Sequence, residues 1–113
     1  MEAKAIARFI KISPRKVRVV ADLVRGKDVG DAIKTLTFVN RAGALPIKKL
    51  VESAVANATQ ADSAIDVDAL YIKTLQVDMG PTGHMRRWRP RAMGRATRIV
   101  KGTSHIQVVL AVR

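Results

Sequence analysis

The chain has 113 residues, 48% of them hydrophobic, and a formal net charge of +12 at pH 7. That length gives room for one domain around one core, and the apolar content excludes wholesale disorder. The sequence has no Cys, which excludes disulfide staples, Cys–zinc sites and thiol catalysis, and the charge asks for a polyanionic partner.

The charge is concentrated at both ends: residues 1–27 sum to +6, residues 28–78 to −2 and residues 79–113 to +8. A near-neutral middle with two basic ends is the pattern expected if both ends converge on one polyanion. No apolar run approaches the roughly 20 residues of a membrane helix, and Met1-Glu2-Ala3-Lys4 has no secretory h-region. The expected location is the cytoplasm, or an organelle after loss of a presequence.

Residues 3–12 read as a strand, with Ala5, Ala7 and Phe9 alternating with Ile6, Arg8 and Ile10. Ser13-Pro14 marks a helix start, Ser as N-cap and Pro at the first helical position. Val17, Val20, Ala21 and Val24 follow at helical spacing, and Gly26 ends the helix. Arg15, Lys16, Arg18 and Arg25 crowd its polar side with only Asp22 among them, and Lys11 and Lys27 flank it. So cationic a face reads as a second polyanion contact.

Asp28 or Gly30 opens a second helix through Ala32, Ile33, Leu36 and Val39. Asn40 can cap a third, whose stripe is Ile47, Leu50, Val51, Ala54, Val55 and Ala58. Pro46 either bends a helix that begins at Arg41 or delays its regular part to about Leu45. This stripe is expected to lie across a sheet. Residues 60–68 are a polar surface connection. Residues 70–78 read as a strand with Tyr71, Leu75 and Val77 on one face and Thr74, Gln76 and Asp78 on the other. Residues 103–112 read as another, with Ile106, Val108, Leu110 and Val112 opposite His105, Gln107, Val109 and Ala111.

Between those strands lie about 24 residues, 79–102, rich in Arg, Gly and Pro. A structureless loop of that length inside a small domain is improbable, so the segment is expected to be either disordered or a long hairpin leaving the body, with its turn near Arg91–Met93 between Pro90 and Gly94. Two arms of about ten residues, at roughly 3.3 Å each, would carry the tip about 30 Å from the body. Such a ribbon is marginal alone in water and needs a partner. Its basic residues name that partner: Arg86, Arg87, Arg89, Arg91, Arg95, Arg98 and Lys101 are uninterrupted by any acid. The guanidinium fork suits phosphate, and Arg and Trp88 planes stack on splayed bases, which favours RNA.

Other chemistries are weak. His84 and His105 are the two histidines, with no metal-ligand spacing. Ser104 and His105 are neighbours on a strand and point to opposite faces, so they cannot pair as nucleophile and base. Asp62, Asp66 and Asp68 lack the glycine and terminal Glu of a calcium loop. A DNA-bending arm protein would need a dimer with two arms, and the first helix is too lightly apolar for a membrane-active peptide. No cofactor, metal or small-molecule substrate is expected.

Several segments resemble one family. Ser13-Pro14-Arg15-Lys16-Val17-Arg18 with Leu23-Val24-Arg25-Gly26, then Glu52-Ser53-Ala54-Val55-Ala56-Asn57-Ala58, Gly80-Pro81, Pro90-Arg91-Ala92 with Gly94-Arg95-Ala96, and Thr103-Ser104-His105-Ile106 are similar to the L twenty-two family of large-subunit ribosomal proteins, in the right order over nearly the whole chain. The resemblance implies an α+β fold, three helices packed on a three-stranded antiparallel sheet, with a long protruding β-hairpin. It implies a single ribosomal-protein domain over residues 1–113, with a body of 1–78 and 103–113 and a hairpin of about 79–102. The implied function is non-catalytic: the body binds ribosomal RNA near the exit-tunnel opening and the hairpin lines the peptide exit tunnel. The tip would be Pro90, Arg91, Ala92, Met93, Gly94 and Arg95. Implied partners are large-subunit ribosomal RNA, neighbouring large-subunit proteins and the nascent peptide. The arm before Pro90 is about two residues longer than the family's usual pattern, with Gly83-His84 extra; an even insertion keeps each side chain on its face.

Overall fold

The structure, a computed structural model, describes residues 2–80, 87–90, 96–99 and 103–112. In chain order the elements are β1 (Glu2–Ile10), α1 (Pro14–Val24), α2 (Val29–Phe38), α3 (Ala44–Ala61), a 3-10 turn (Val67–Ala69), β2 (Leu70–Met79), β3 (Arg87–Pro90), β4 (Ala96–Ile99) and β5 (Ser104–Val112). β1, β5 and β2 form one antiparallel sheet in that order, and β3 and β4 form a separate two-stranded one. The expected α+β architecture is therefore found.

Local chemistry accounts for the helix ends. Pro14 opens α1 where a missing N–H costs nothing, and the carbonyl of extended Ser13 accepts from the N–H groups of Lys16 and Val17. Beyond its end Gly26 has φ +80, a left-handed conformation that glycine adopts without strain. Pro46 proves harmless for the same reason as Pro14. α3 begins at Ala44 with Gly43 as N-cap, not at Asn40 or Arg41, so Pro46 falls in the first turn.

The helices cover one face of the sheet. Val17, Val20, Ala21 and Val24 of α1 and Ile47, Leu50, Val51, Ala54 and Ala58 of α3 bury against Ile106, Val108 and Leu110 of the central strand and Ala3 and Ala5 of β1. Small alanines on β1 let α3 come close; its Asn57 amide reaches the β1 edge and donates to the Lys4 carbonyl at 3.0 Å.

Two bulges break the simple alternation. One lies between Ile72 and Thr74 of β2, so Leu70 and Ile72 point inward before it and Leu75 and Val77 after it. Tyr71 is therefore on the opposite face from Leu75 and Val77, not with them as strict alternation predicts. The other lies between Ala7 and Ile10 of β1 and leaves Phe9 half-exposed. The uncovered face carries an ion pair from Glu2 of β1 to Lys73 of β2, which spans the central strand. The hydrogen bond from Lys73 and its positive charge lower the Glu2 pKa, and the hydrogen bond to Glu2 and its negative charge raise that of Lys73. The contribution of Glu2 is thus present above its unfolded pKa and fades as pH falls through the folded one, weakly at so exposed a site.

The sheet closes at Gly80. Its N–H donates to the Thr103 carbonyl at 2.8 Å, one step beyond the last ladder pair of Met79 and Ser104. A Cβ on Gly80 would lie 2.4 Å from the Thr103 hydroxyl oxygen, and Thr103 is buried. Gly80→Ala should therefore lose about 1–3 kcal/mol of stability, the range for overpacking. In urea titrations Thr103→Ala should recover part of that loss in the double variant, and strict additivity of the two changes would refute the contact.

Candidate nucleic-acid interface

The two basic ends of the sequence meet at one end of the body. β1 finishes beside the start of β5, with Ile10 opposite Ser104, and β2 finishes there too, with Met79 opposite Ser104. Ser104 is fully buried, and its hydroxyl donates to the Ile12 carbonyl at 2.5 Å, tying the β1–α1 link to this corner. Lys11 follows at once and is exposed, and Arg15 and Lys16 are exposed in the first turn of α1. The basic segment departs from the same corner between Gly80 and Thr103.

Electrostatics at that corner run against local helix preference. The first turn of α1 contains no acidic residue. Carboxylates there would gain about 0.3–1 kcal/mol each from the helix dipole, while cations lose it. Arg15 and Lys16 thus sit where an isolated helix would disfavour them, and negative charge from outside the helix would offset that cost.

Arg18 and Arg25 have a different surrounding. The Arg18 guanidinium donates through Nε at 3.2 Å and Nη2 at 2.9 Å to the Val77 carbonyl. Arg25 donates through Nε at 2.9 Å to the Leu75 carbonyl and pairs with Asp22 one turn back. Further along, the Ile72 N–H donates to the Lys27 carbonyl at 2.9 Å. These bonds fall in order along the outer edge of β2, because α1 runs antiparallel to it. They satisfy an edge that would otherwise offer unpaired carbonyls to another chain. Sequence reading assigned both arginines to RNA alone and missed this work; only their helical spacing, with Asp22 between, hinted at a shared face. Both residues keep exposed surface, so the remaining donors are available outward.

Of the segment's own residues, Arg87, Trp88, Arg89 and Pro90 lie on β3 and Arg98 on β4. Trp88 is directly across from Arg98, Arg89 from Thr97, and Pro90 from Ala96. The turn expected near Arg91–Met93 lies outside the described residues. Arg86, Arg91, Ala92, Met93, Gly94, Arg95 and Lys101 lie outside the described residues. The Cα radius of gyration is 17.2 Å and the long axis 65 Å. A compact chain of this length would have a radius near 13 Å, so the molecule is drawn out.

Residues 5–111 match the family described as ribosomal protein L22p/L17e. Curated relatives named large ribosomal subunit protein uL22 align end to end. The relative from Sorangium cellulosum is 56% identical over 108 residues, covering 96% of this chain and 95% of its own. That from Desulfotalea psychrophila is 57% identical over 110 residues, 97% of each chain. That from Myxococcus xanthus is 55% identical over 112 residues, 98% of this chain and 96% of its own.

The split between clamp and contact arginines is measurable. Arg18→Ala should lower unfolding free energy by about 1–2 kcal/mol, since it removes charged donors from a buried-edge carbonyl. Arg15→Ala and Lys16→Ala should stay within about 0.5 kcal/mol of the wild type. Equal stability of all three variants in chemical denaturation would show that Arg18 does not hold the β2 edge.

Proposed function

The chain belongs to the ribosomal protein L22p/L17e family, and from that premise we propose that it is a structural component of the large ribosomal subunit that binds ribosomal RNA directly. It is not an enzyme; its work is binding without turnover. Its setting is the cytoplasmic large subunit, as for the bacterial relatives.

The observation that carries the RNA reading is the convergence of Lys11, Arg15 and Lys16 with the root of the arginine segment at one corner of the body. Cations from both ends of the chain then neutralise neighbouring phosphates. Condensed counterions leave, and RNA segments from different places are pinned together. Arg18 and Arg25 add their outward donors to the same face. Arg86, Arg87, Arg89, Arg91, Arg95, Arg98 and Lys101 line the segment and hold it in an RNA crevice, while Trp88 offers a stacking plane.

The body then sits near the exit-tunnel opening and the segment reaches inward. Its tip, Pro90 to Arg95, lines the peptide exit tunnel beside neighbouring ribosomal proteins and meets the nascent peptide. This division of labour gives the tip little part in anchoring.

Affinity capture of the chain from lysate should recover large-subunit RNA; recovery of bulk duplex DNA would contradict the reading. Deleting Arg91–Arg95 removes two cations. It should lower the magnitude of the slope of log affinity against log salt by only about 1–2 and leave assembly into particles largely intact. Loss of all RNA binding on that deletion would refute the separation of body from tip.

A further inference from the structure

Phe9 is the one non-glycine residue with positive φ among the described residues, at +59. For an aromatic side chain this left-handed conformation is strained, and it persists only where its surroundings enforce it. The enforcing contacts are visible. The Phe9 N–H donates to Nδ1 of His105 at 3.2 Å, and the two rings meet edge to face with centroids 5.0 Å apart. The acceptor role of Nδ1 puts the imidazole proton on Nε2. The bulge between Ala7 and Ile10 supplies the backbone room.

This strain does not serve the core. Phe9 is 54% exposed and lies on an edge strand, on a chain with few aromatics. Relaxing the residue to an ordinary strand conformation would remove the bulge and re-aim the ring. The fold instead holds a large apolar plane outward, between exposed Arg8 and Lys11 and at the same corner as exposed Met79. An apolar plane flanked by cations is the arrangement that suits an unpaired nucleobase, whose π-face stacks while its phosphates meet the charges.

Resting on the RNA-binding reading above, we propose that Phe9, fixed in its left-handed bulge by His105, is a stacking platform for an unpaired base of ribosomal RNA at the root of the arginine segment. Stacking uses no charge, so its loss separates cleanly from loss of phosphate contacts. A protein side chain packed on the same ring is the competing occupant.

The test compares the full-length chain with Phe9→Leu, Phe9→Gly and Phe9→Trp, titrated against a large-subunit ribosomal RNA transcript over a series of salt concentrations. Phe9→Leu keeps apolar bulk without a π-face, and Phe9→Gly takes the left-handed conformation without strain, so at least one should fold normally by circular dichroism. Both should bind RNA about five- to a hundredfold more weakly, the range for one lost base stack, with the salt slope unchanged. Phe9→Trp should bind like the wild type. Wild-type affinity in folded Phe9→Leu or Phe9→Gly would overturn the proposal. So would a changed salt slope, because the ring would then act only by arranging Arg8 and Lys11. Weakened entry into particles with unaltered binding to naked RNA would overturn it in favour of a protein contact. A wild-type chain whose RNA affinity ignores salt would instead overturn the RNA-binding reading itself.

Discussion

A strongly cationic ribbon can be held away from a small body only if both its ends are anchored against the repulsion within it. The closure of the sheet at Gly80 and Thr103 provides that anchor. Gly80 N–H bonds the Thr103 carbonyl at 2.8 Å in a space that admits no Cβ. Immediately below, buried Ser104 joins the ladders of β1 and β2 and secures Ile12 through its hydroxyl. The two ends of the segment, the end of β1 and the start of α1 thus share one fixed corner. Without it, the basic N-terminal region and the basic segment would have no defined relation, and a partner would have to order both.

The molecule divides its arginines between two kinds of work. Those of α1 that face β2 stop the sheet: Arg18 and Arg25 take up the Val77 and Leu75 carbonyls, and the α1–α2 link takes up the Ile72 N–H. On the other edge Asn57 does the same for Lys4. Each such bond takes up an edge group that could otherwise pair with another chain. The cations of the first turn of α1 oppose the helix dipole and point outward. That local cost supports the proposed polyanion contact at this face.

Helices and strands were legible in the sequence, and the irregularities set by strand pairing were not. Ser13-Pro14 and Gly26 mark α1 because the fixed φ of a first-turn proline and a left-handed φ are local properties, and the Ile47–Ala58 stripe marks α3 because burial repeats with the helix. The face of Tyr71 was misread because a bulge at residue 73 reverses the alternation, and a bulge belongs to the register with β5, not to β2 alone. Asn40 resembles a cap, but the turn at Arg41–Gly43 moves the helix start to Ala44. The role of Arg18 and Arg25 depends on how α1 lies along β2, which charge counting cannot reveal. The left-handed conformation of Phe9 was hidden for the same reason: the His105 contact at its bulge comes from 96 positions away in the chain.

The account rests on the arginine arms engaging RNA phosphates while the body supplies their anchor. The direct measurement is the salt dependence of affinity for large-subunit RNA when Arg86, Arg87, Arg89 and Arg98 are replaced together by Gln. The slope of log affinity against log salt should shrink in magnitude by about 3, close to one release event per lost phosphate contact, while the body unfolds at the same denaturant concentration. An unchanged slope in a normally folded variant would mean that those guanidinium groups meet no phosphate.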